Sequence, residues 1–357
     1  MKSRCQPERK MNKACGCPKL DSPKLQKLFL EALSSGDEAM IEKRLAQGAC
    51  PRTPAARDGE TPLMAAAMGG NMSMVKRLAP QSDILAVDKW GGNALAHLLG
   101  AGDLRRAQPE FIDCLKILAG PESAKAANSS GESPLMIACA NECKFMEILE
   151  VLGPWSDWRA KDSDGMNLVA QSLDVGSDES ALALWHRHPD KAWLAHDVDE
   201  RGRTIAHFAA ECDAAPVLLA IAGHVDFGAR DHDGRTPLMV ANLKSVNAKK
   251  TMPLLAQWSD CQAVDYDGCD ALMLLIEGLR EDVSDKKREI LDELVNRADL
   301  GARDKLGESA LEKARDRKFE KVASSIQSRM DIAAERDEIA QASSAEEKLH
   351  QPRAFRI

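Results

Sequence analysis

Large aromatic rings and long apolar runs are both scarce in this sequence of 357 residues. Aromatic residues make up 4% of it, with a single tyrosine, Tyr266. Since no run of about 18 uninterrupted apolar residues occurs, we predict no membrane span. The first twenty residues contain no apolar segment, and we therefore expect no Sec-type signal peptide.

Sequence motifs of catalysis and metal binding are also missing. There is no nucleophile elbow, phosphate-binding glycine loop or HExxH sequence. Cys15 and Cys17, even with Cys5, lack a fourth ligand and the usual spacer of a structural zinc site. His186 and His188 stand two residues apart on a predicted helix, so their side chains point to different sides. We predict no catalytic residue, no metal and no cofactor, and expect a protein that is not an enzyme.

The charge is acidic and unevenly distributed. The formal net charge is -8, but the first 27 residues hold eight Lys or Arg against Glu8 and Asp21, which leaves -14 on the rest. Such an acidic body argues against nucleic acid as a ligand, and either a protein partner with a basic surface or solubility alone explains it. The ten scattered cysteines are typical of reduced thiols in a cytoplasmic protein.

One short phrase recurs along the chain: an Asp or Asn, two variable residues, a Gly, one further residue, a mostly polar residue and an apolar run. It reads DHDGRTPL at 231–238 and NSSGESPL at 128–135. The spacing between successive glycines is 32 to 40 residues, which is typical of a solenoid of stacked repeats. The glycines that mark the copies are Gly59, Gly91, Gly131, Gly165, Gly202, Gly234, Gly268 and Gly307.

The residue types in the phrase predict a turn followed by a helix. Asp and Gly favour tight turns, because a carboxylate accepts nearby amides and Gly tolerates a positive φ. Thr, Ser or Asn then stands where a helix needs a cap, often followed by Pro in the first helical turn. A second amphipathic run follows each time. With a first helix pair at 25–49 as the N-terminal cap, we count about nine helix pairs.

The segments DGETPLMAAAMGGNMSMVKRLA at 58–79 and DGRTPLMVA at 233–241 resemble the core of the ankyrin repeat family. The similarity extends from about Lys24 to about Arg329, with His207 at the position of the family's histidine and Met there in most other copies. The resemblance implies an all-α ankyrin-repeat solenoid with short hairpin-like turns. It also implies that a partner binds in the concave groove formed by the turn tips and the inner helices.

Three regions follow from this interpretation. Residues 1–23 are expected to be a basic, disordered tail, residues 24–327 the repeat domain with its two capping repeats, and residues 328–357 a charged helix or tail.

The variable positions of the turns are the predicted binding surface. They are the two residues before each marker glycine and the one after it, which we expect to be exposed. Trp90 and Tyr266 are the expected anchors, because large rings dominate interface energies; the alternative, that either ring packs on the neighbouring turn, stays open. The predicted contact residues are Lys89, Trp90, Asp164, Met166, Arg201, Arg203, His232, Arg235, Tyr266 and Asp267.

Two functions remain from different classes. The first is a binding module that recruits or inhibits one protein partner, with irregular repeats that suggest a bacterial or phage-type effector or inhibitor, delivered into a host cell without a Sec-type signal. The second is a regulatory or targeting subunit that acts through its basic N-terminal and charged C-terminal tails, with the array as a spacer. The partner and the oligomeric state are left open.

Overall fold

A computed structural model describes residues 23–54, 58–102, 107–140, 143–244, 250–279 and 285–349. In these ranges the chain is helical, with nineteen α-helices, one 3-10 turn and two isolated β-bridges. The predicted all-α fold is confirmed. The chain divides into two compact units, residues 1–191 and 192–357.

The first unit contains five helix pairs. They are α1 (Pro23–Ser35) with α2 (Glu38–Ala46), α3 (Pro62–Gly69) with α4 (Met72–Leu78), α5 (Ala94–Gly100) with α6 (Phe111–Leu118), α7 (Pro134–Cys139) with α8 (Phe145–Leu152), and α9 (Leu168–Asp174) with α10 (Asp178–Arg187). The first helix of each pair packs on the first helix of the next. The boundary between the units falls within the short α11 (Lys191–His196).

The second unit contains four helix pairs. They are α12 (Ile205–Glu211) with α13 (Ala215–Ile221), α14 (Pro237–Lys244) with α15 (Met252–Trp258), α16 (Ala271–Gly278) with α17 (Asp285–Arg297), and α18 (Ala310–Asp316) with α19 (Glu320–Leu349). The first helices again pack on one another in order. With the five pairs of the first unit, the described residues hold the nine pairs that the repeats predict.

The inner helices begin where the turn phrase predicts. In the second repeat Thr61 is the N-cap of α3, and its hydroxyl accepts a hydrogen bond from the Met64 amide at 3.2 Å. Met64 Sδ accepts one from the Thr61 amide in return, at 3.3 Å. Pro62 occupies the first helical position, where its missing N–H costs nothing. Local sequence therefore places the start of the helix within one residue.

The outer helices bury one face only. In α8, Phe145, Ile148, Leu149 and Leu152 are buried, while Met146 is 48% exposed. This spacing is that of an apolar stripe on a helix of 3.6 residues per turn. The inner helices are buried nearly all round, and the outer helices are buried on one face. The solvent-facing side of each pair is therefore the outer face of its second helix.

The last helix is longer than any other in the described chain. α19 runs without a break from Glu320 to Leu349, across the expected boundary between the repeat domain and the tail at 327/328. Val322 and Ile326 are fully buried, whereas Ile332 and Ile339 are 42% and 67% exposed. The start of the helix therefore closes the last repeat, and further along Ile332 and Ile339 are open to solvent. The expected disordered tail, residues 1–23, lies almost wholly outside the described residues.

Candidate functional site

Each turn is built on the carboxylate or amide that opens it. In the turn of Gly234, Asp231 Oδ1 accepts hydrogen bonds from the amides of Asp233 at 2.9 Å and Arg235 at 2.8 Å. The Gly234 amide donates to the Asp231 carbonyl at 2.9 Å, with φ at 78°. A left-handed φ suits glycine best. The same bonding is present in the turns opened by Asp88, Asn128, Asp162, Asp199, Asp265 and Asp304.

Consecutive turns within each unit are joined by one backbone hydrogen bond, which we call a rung. The amide after the opening residue of one turn donates to the carbonyl just before the glycine of the preceding turn, as Tyr266 does to Asp233 at 3.0 Å. Because only backbone atoms take part, the tips keep their geometry whatever their side chains. The rungs are Lys89 to Asp58, Ser129 to Trp90 and Ser163 to Ser130 in the first unit, and His232 to Arg201, Tyr266 to Asp233 and Lys305 to Asp267 in the second.

The exposed ring of the first unit is held by its own neighbour. Trp90 is 54% exposed, and the Lys89 ammonium lies 4.1 Å from the centre of its ring. Lys89 also forms an ion pair with Asp58 on the preceding turn. A cation over an indole face orients the ring at little entropic cost. Asp164, two turns further along, is exposed as well.

The exposed ring of the second unit rests on the preceding turn. Tyr266 is 61% exposed, and a Cβ placed on Gly234 would lie 2.8 Å from its Cδ1. His232 lies in the same way over Gly202, with its Cδ2 at 2.7 Å. The alternative of a ring packed on the neighbouring turn therefore applies to Tyr266, although most of its surface stays accessible.

The expectation that the residue after each glycine is exposed is wrong at several turns. Met166 is only 9% exposed and Cys269 only 5%. This residue closes the turn through its backbone, since its amide binds the opening carboxylate and its carbonyl accepts the opening amide, as Met166 does with Asp162. Its side chain is thereby kept within the stack. Met166 is therefore a packing residue in this structure.

Arg203, which also follows a marker glycine, is largely buried and forms ion pairs within the second unit. Its Nε donates to Asp199 Oδ2 at 2.8 Å and its Nη1 to Glu211 Oε2 at 3.0 Å, with 13% of the side chain exposed. The guanidinium also lies 4.2 Å from the Phe208 ring. Removing it would leave two carboxylates without their cation. Arg203 therefore stabilises the repeat and offers little of itself to a partner.

A cleft lies between the turns of Gly202 and Gly234. It has a volume of about 380 Å³ and is open to solvent. Arg235 spans one side of it, with Nη1 at 2.8 Å from Asp233 Oδ2 and Nε at 3.6 Å from Asp265 Oδ2. Its lining brings together four of the predicted contact residues, Arg201, Arg203, His232 and Arg235, with Glu200, Glu211, Asp231, Asp233 and Val240.

The second oxygen of the opening carboxylate binds a basic side chain of the chain in several turns. Asp88 Oδ2 lies 2.8 Å from His97 Nε2, and Asp304 Oδ2 lies 2.7 Å from Lys313 Nζ. Burial acts to lower the pKa of Lys313, but hydrogen bonds to Asp304 and Glu277 outweigh it and raise that pKa. The same bond holds the pKa of Asp304 below its usual range. In the turns of Asp304 and Asp199, where Lys313 and Arg203 bind it, this oxygen is therefore a cation site.

Two histidines are bonded within the fold. His207 is fully buried; its Nδ1 accepts from the Thr204 amide at 3.1 Å, and its Nε2 donates to the Arg235 carbonyl at 3.0 Å. Burial lowers the pKa of the His207 imidazole, which keeps it neutral. His188 Nε2 donates to the Trp158 carbonyl at 3.0 Å and Nδ1 accepts an amide.

Two further properties of the structure bear on other functions. Within the ranges that the structure describes, no helix is both long and apolar enough to cross a bilayer. No group of three or more His, Cys, Asp or Glu side chains in the same ranges is placed to hold a metal ion. Cys5, Cys15 and Cys17 lie outside those ranges.

Comparison with known proteins identifies the repeat. Residues 58–89 match the family model described as Ankyrin repeat. A solved structure described as the ankyrin repeat domain of Bcl-3, a member of the IkappaB protein family, aligns at 20% sequence identity over 60% of this chain and 93% of its own, with a TM-score of 0.46. No curated protein sequence matches.

Proposed function

Because this chain is an ankyrin repeat protein, we propose that it is a non-enzymatic binding protein that holds one protein partner. The exposed turn tips of each unit supply the binding residues. Ankyrin repeats bind protein partners as a family, and the observation that carries the proposal for this chain is the pair of half-exposed rings at its tips. Trp90 and Tyr266 are 54% and 61% exposed on turns that backbone hydrogen bonds hold in place.

Preorganisation is the physical reason to favour these tips. A ring on a rigid turn loses little freedom when it is covered, so more of the burial energy appears as affinity. Leu306, at 83% exposed, adds a third apolar side chain one turn beyond Tyr266. Leu306 stands at a variable position of its turn, between Lys305 and Gly307. It is not among the contact residues predicted from the sequence, because nothing in the sequence distinguishes an exposed leucine from a buried one. We now include it in the proposed surface.

The partner that fits has a basic surface and is either recruited or blocked by this chain. The excess of negative charge outside the first 27 residues supports the basic surface. We propose further that the protein acts in a cytoplasm as an effector or inhibitor. Its irregular repeats are then adapted to bind one partner. The acidic body is also the reason to propose no nucleic acid as a ligand.

Alanine variants of the two rings test the surface. Trp90→Ala and Tyr266→Ala should each weaken capture of the partner from the native cell, and the double variant should weaken it most. The helical circular dichroism spectrum and the melting temperature should stay as in the natural chain. Trp155→Ala is the matched control, because Trp155 is 44% exposed but lies outside the tips. Equal capture by the double variant and the control would reject the surface.

A second candidate is a regulatory or targeting subunit that works through its tails. The observation that favours it is the exposure of Ile332 and Ile339 on α19, at 42% and 67%. Deleting residues 1–23, or replacing both isoleucines by Ser, should then abolish activity while the tip variants leave it intact. The opposite pattern supports binding through the tips.

A further inference from the structure

The turn opened by Asp231 has a cation site that the chain itself leaves empty. Asp231 Oδ1 accepts the amides of Asp233 and Arg235, as in the other turns. Among the described residues, Oδ2 has no hydrogen-bond or ion-pair partner. Asp231 is only 7% exposed, and it lines the cleft between the turns of Gly202 and Gly234.

The sequence explains why the site is empty. His97 and Lys313, which fill the corresponding site in two other turns, each stand six residues after their marker glycine. The residue six positions after Gly234 is Val240, which also lines the cleft. The second position that supplies a cation is the residue after the glycine, from which Arg203 binds Asp199. Here that residue is Arg235, which turns to Asp233 and Asp265 instead.

The charge around the cleft favours a cation. Counting Asp199 with the lining residues, five carboxylates face three guanidinium groups, which leaves two negative charges in excess. Arg203 is already shared between Asp199 and Glu211, and Arg235 is paired with Asp233. Only Arg201 is exposed, and it lies beside Glu200. Of the two excess charges, one is shared by Asp199 and Glu211 around Arg203, and the other is on Asp231.

We infer that Asp231 receives a Lys or Arg side chain of the protein partner, which enters the cleft and fills the site that His97 and Lys313 fill in other turns. This deepens the proposed function and rests on it, since the cation belongs to a partner that the tips hold. A single carboxylate oxygen suits one ammonium or guanidinium group and is too few ligands for a metal ion. A buried charge of this kind contributes to affinity and to the choice of partner.

The test is a titration of the isotopically labelled full chain, followed by NMR, with the N-acetyl amides of arginine and lysine. The N-acetyl amide of citrulline, which is close to arginine in shape and uncharged, is the control ligand. The amides of Asp233 and Arg235 report on the site because both bind Asp231 Oδ1. We expect saturable shifts of these two amides with the basic ligands, with binding at least about tenfold weaker for citrulline.

Two variants decide whether Asp231 is the receptor. Asp231→Asn keeps the oxygen that holds the turn, as Asn128 does naturally, and should abolish the shifts. Asp162→Asn is the matched control: Asp162 opens a turn in the same way and also has no cation on Oδ2 among the described residues, but it does not line the cleft. It should leave the titration unchanged.

The outcomes separate this inference from the proposed function. Equal shifts with citrulline, shifts that persist in Asp231→Asn, or the absence of any shift would overturn the inference, even if alanine at Trp90 and Tyr266 still weakened capture. If the basic ligands bind at Asp231 but the two ring variants capture the partner normally, the cation site stands and the proposed tip surface fails.

Discussion

Two turns, one in each unit, have nearly the same backbone conformation. The turn in the first unit ends in Asn167, and the turn in the second ends in Asp270. The cap residue has φ and ψ of -81° and 174° in the former and -84° and 177° in the latter. Each also forms an isolated antiparallel bridge, Lys161 with Asn167 and Val264 with Asp270. The two caps differ by one atom group, an amide against a carboxyl.

That difference changes how the two turns respond to pH. Asp270 is 1% exposed and caps α16 through the Met273 amide at 2.8 Å, but its Oδ2 has no partner in the described residues. Burial raises the pKa of Asp270 to about 6. Asn167 has no proton to gain or lose at these pH values. The backbone thus sets the shape of a turn, and a single side-chain group sets its dependence on pH.

Exchanging the two caps should give the largest effect. The folded chain holds the Asp270 proton more tightly than the unfolded chain, so ionisation lowers stability as pH rises from roughly 4 to 6. Asp270→Asn should therefore raise the free energy of unfolding by about 3 kcal/mol well above pH 6, and by nothing below roughly pH 4. Urea unfolding of both proteins at several pH values measures this difference.

The reverse exchange tests whether a carboxyl group in the Asn167 cap introduces the same dependence on pH. Asn167→Asp places a carboxylate in a cap that is 3% exposed, and should lower the free energy of unfolding at neutral pH by a similar amount. If both exchanges leave the pH dependence as it is in the natural chain, the pH response does not come from the cap.

A glycine exchange asks whether the shared backbone is what holds the turns. A Cβ on Gly268, in the Asp270 turn, would lie 3.1 Å from Asp304 Cα, while a Cβ on Gly307 would meet nothing within 4 Å. Both have φ near 80°. Gly307→Ala should cost about 1 kcal/mol from backbone strain alone, and Gly268→Ala about 2 kcal/mol. Equal losses in thermal unfolding would mean that the approach of neighbouring turns contributes nothing.

The smallest effects are expected at the tips. Asp164→Ala, in the turn that ends in Asn167, and Tyr266→Ala, in the turn that ends in Asp270, should each change the free energy of unfolding by less than about 0.5 kcal/mol. The reason is that both turns are held by backbone rungs and by the opening carboxylate. A loss for Tyr266→Ala as large as that for Gly268→Ala would show that the ring on Gly234 belongs to the core.

Most of the fold could be predicted from sequence because its signals are local. The bonds of Asp231 to the amides two and four residues later lie within one phrase, and so does the cap Thr61 with Pro62. The period of the glycine then gives the number of repeats. Local chemistry repeated at one spacing is enough to define turns, inner helices and the nine pairs.

The site could be predicted less well, because its features depend on side chains from different phrases. Arg203 meets Glu211 only once α12 is folded, and Arg235 reaches Asp265 across one repeat. We expected the residue after each marker glycine to be exposed, because the two residues before the glycine are at the tip of the turn. Met166, after Gly165, is buried. The empty site at Asp231 is visible only by comparison with the filled sites at Asp88 and Asp304.

The rungs have a consequence for the exchange of amide protons with solvent. The amides of Lys89 and Tyr266 lie at the tips of turns, where exposed side chains would suggest rapid exchange, yet both are donors to the preceding turn. Each can exchange only when two adjacent turns separate. Their protection factors would therefore read out, rung by rung, the free energy needed to pull adjacent repeats away from each other.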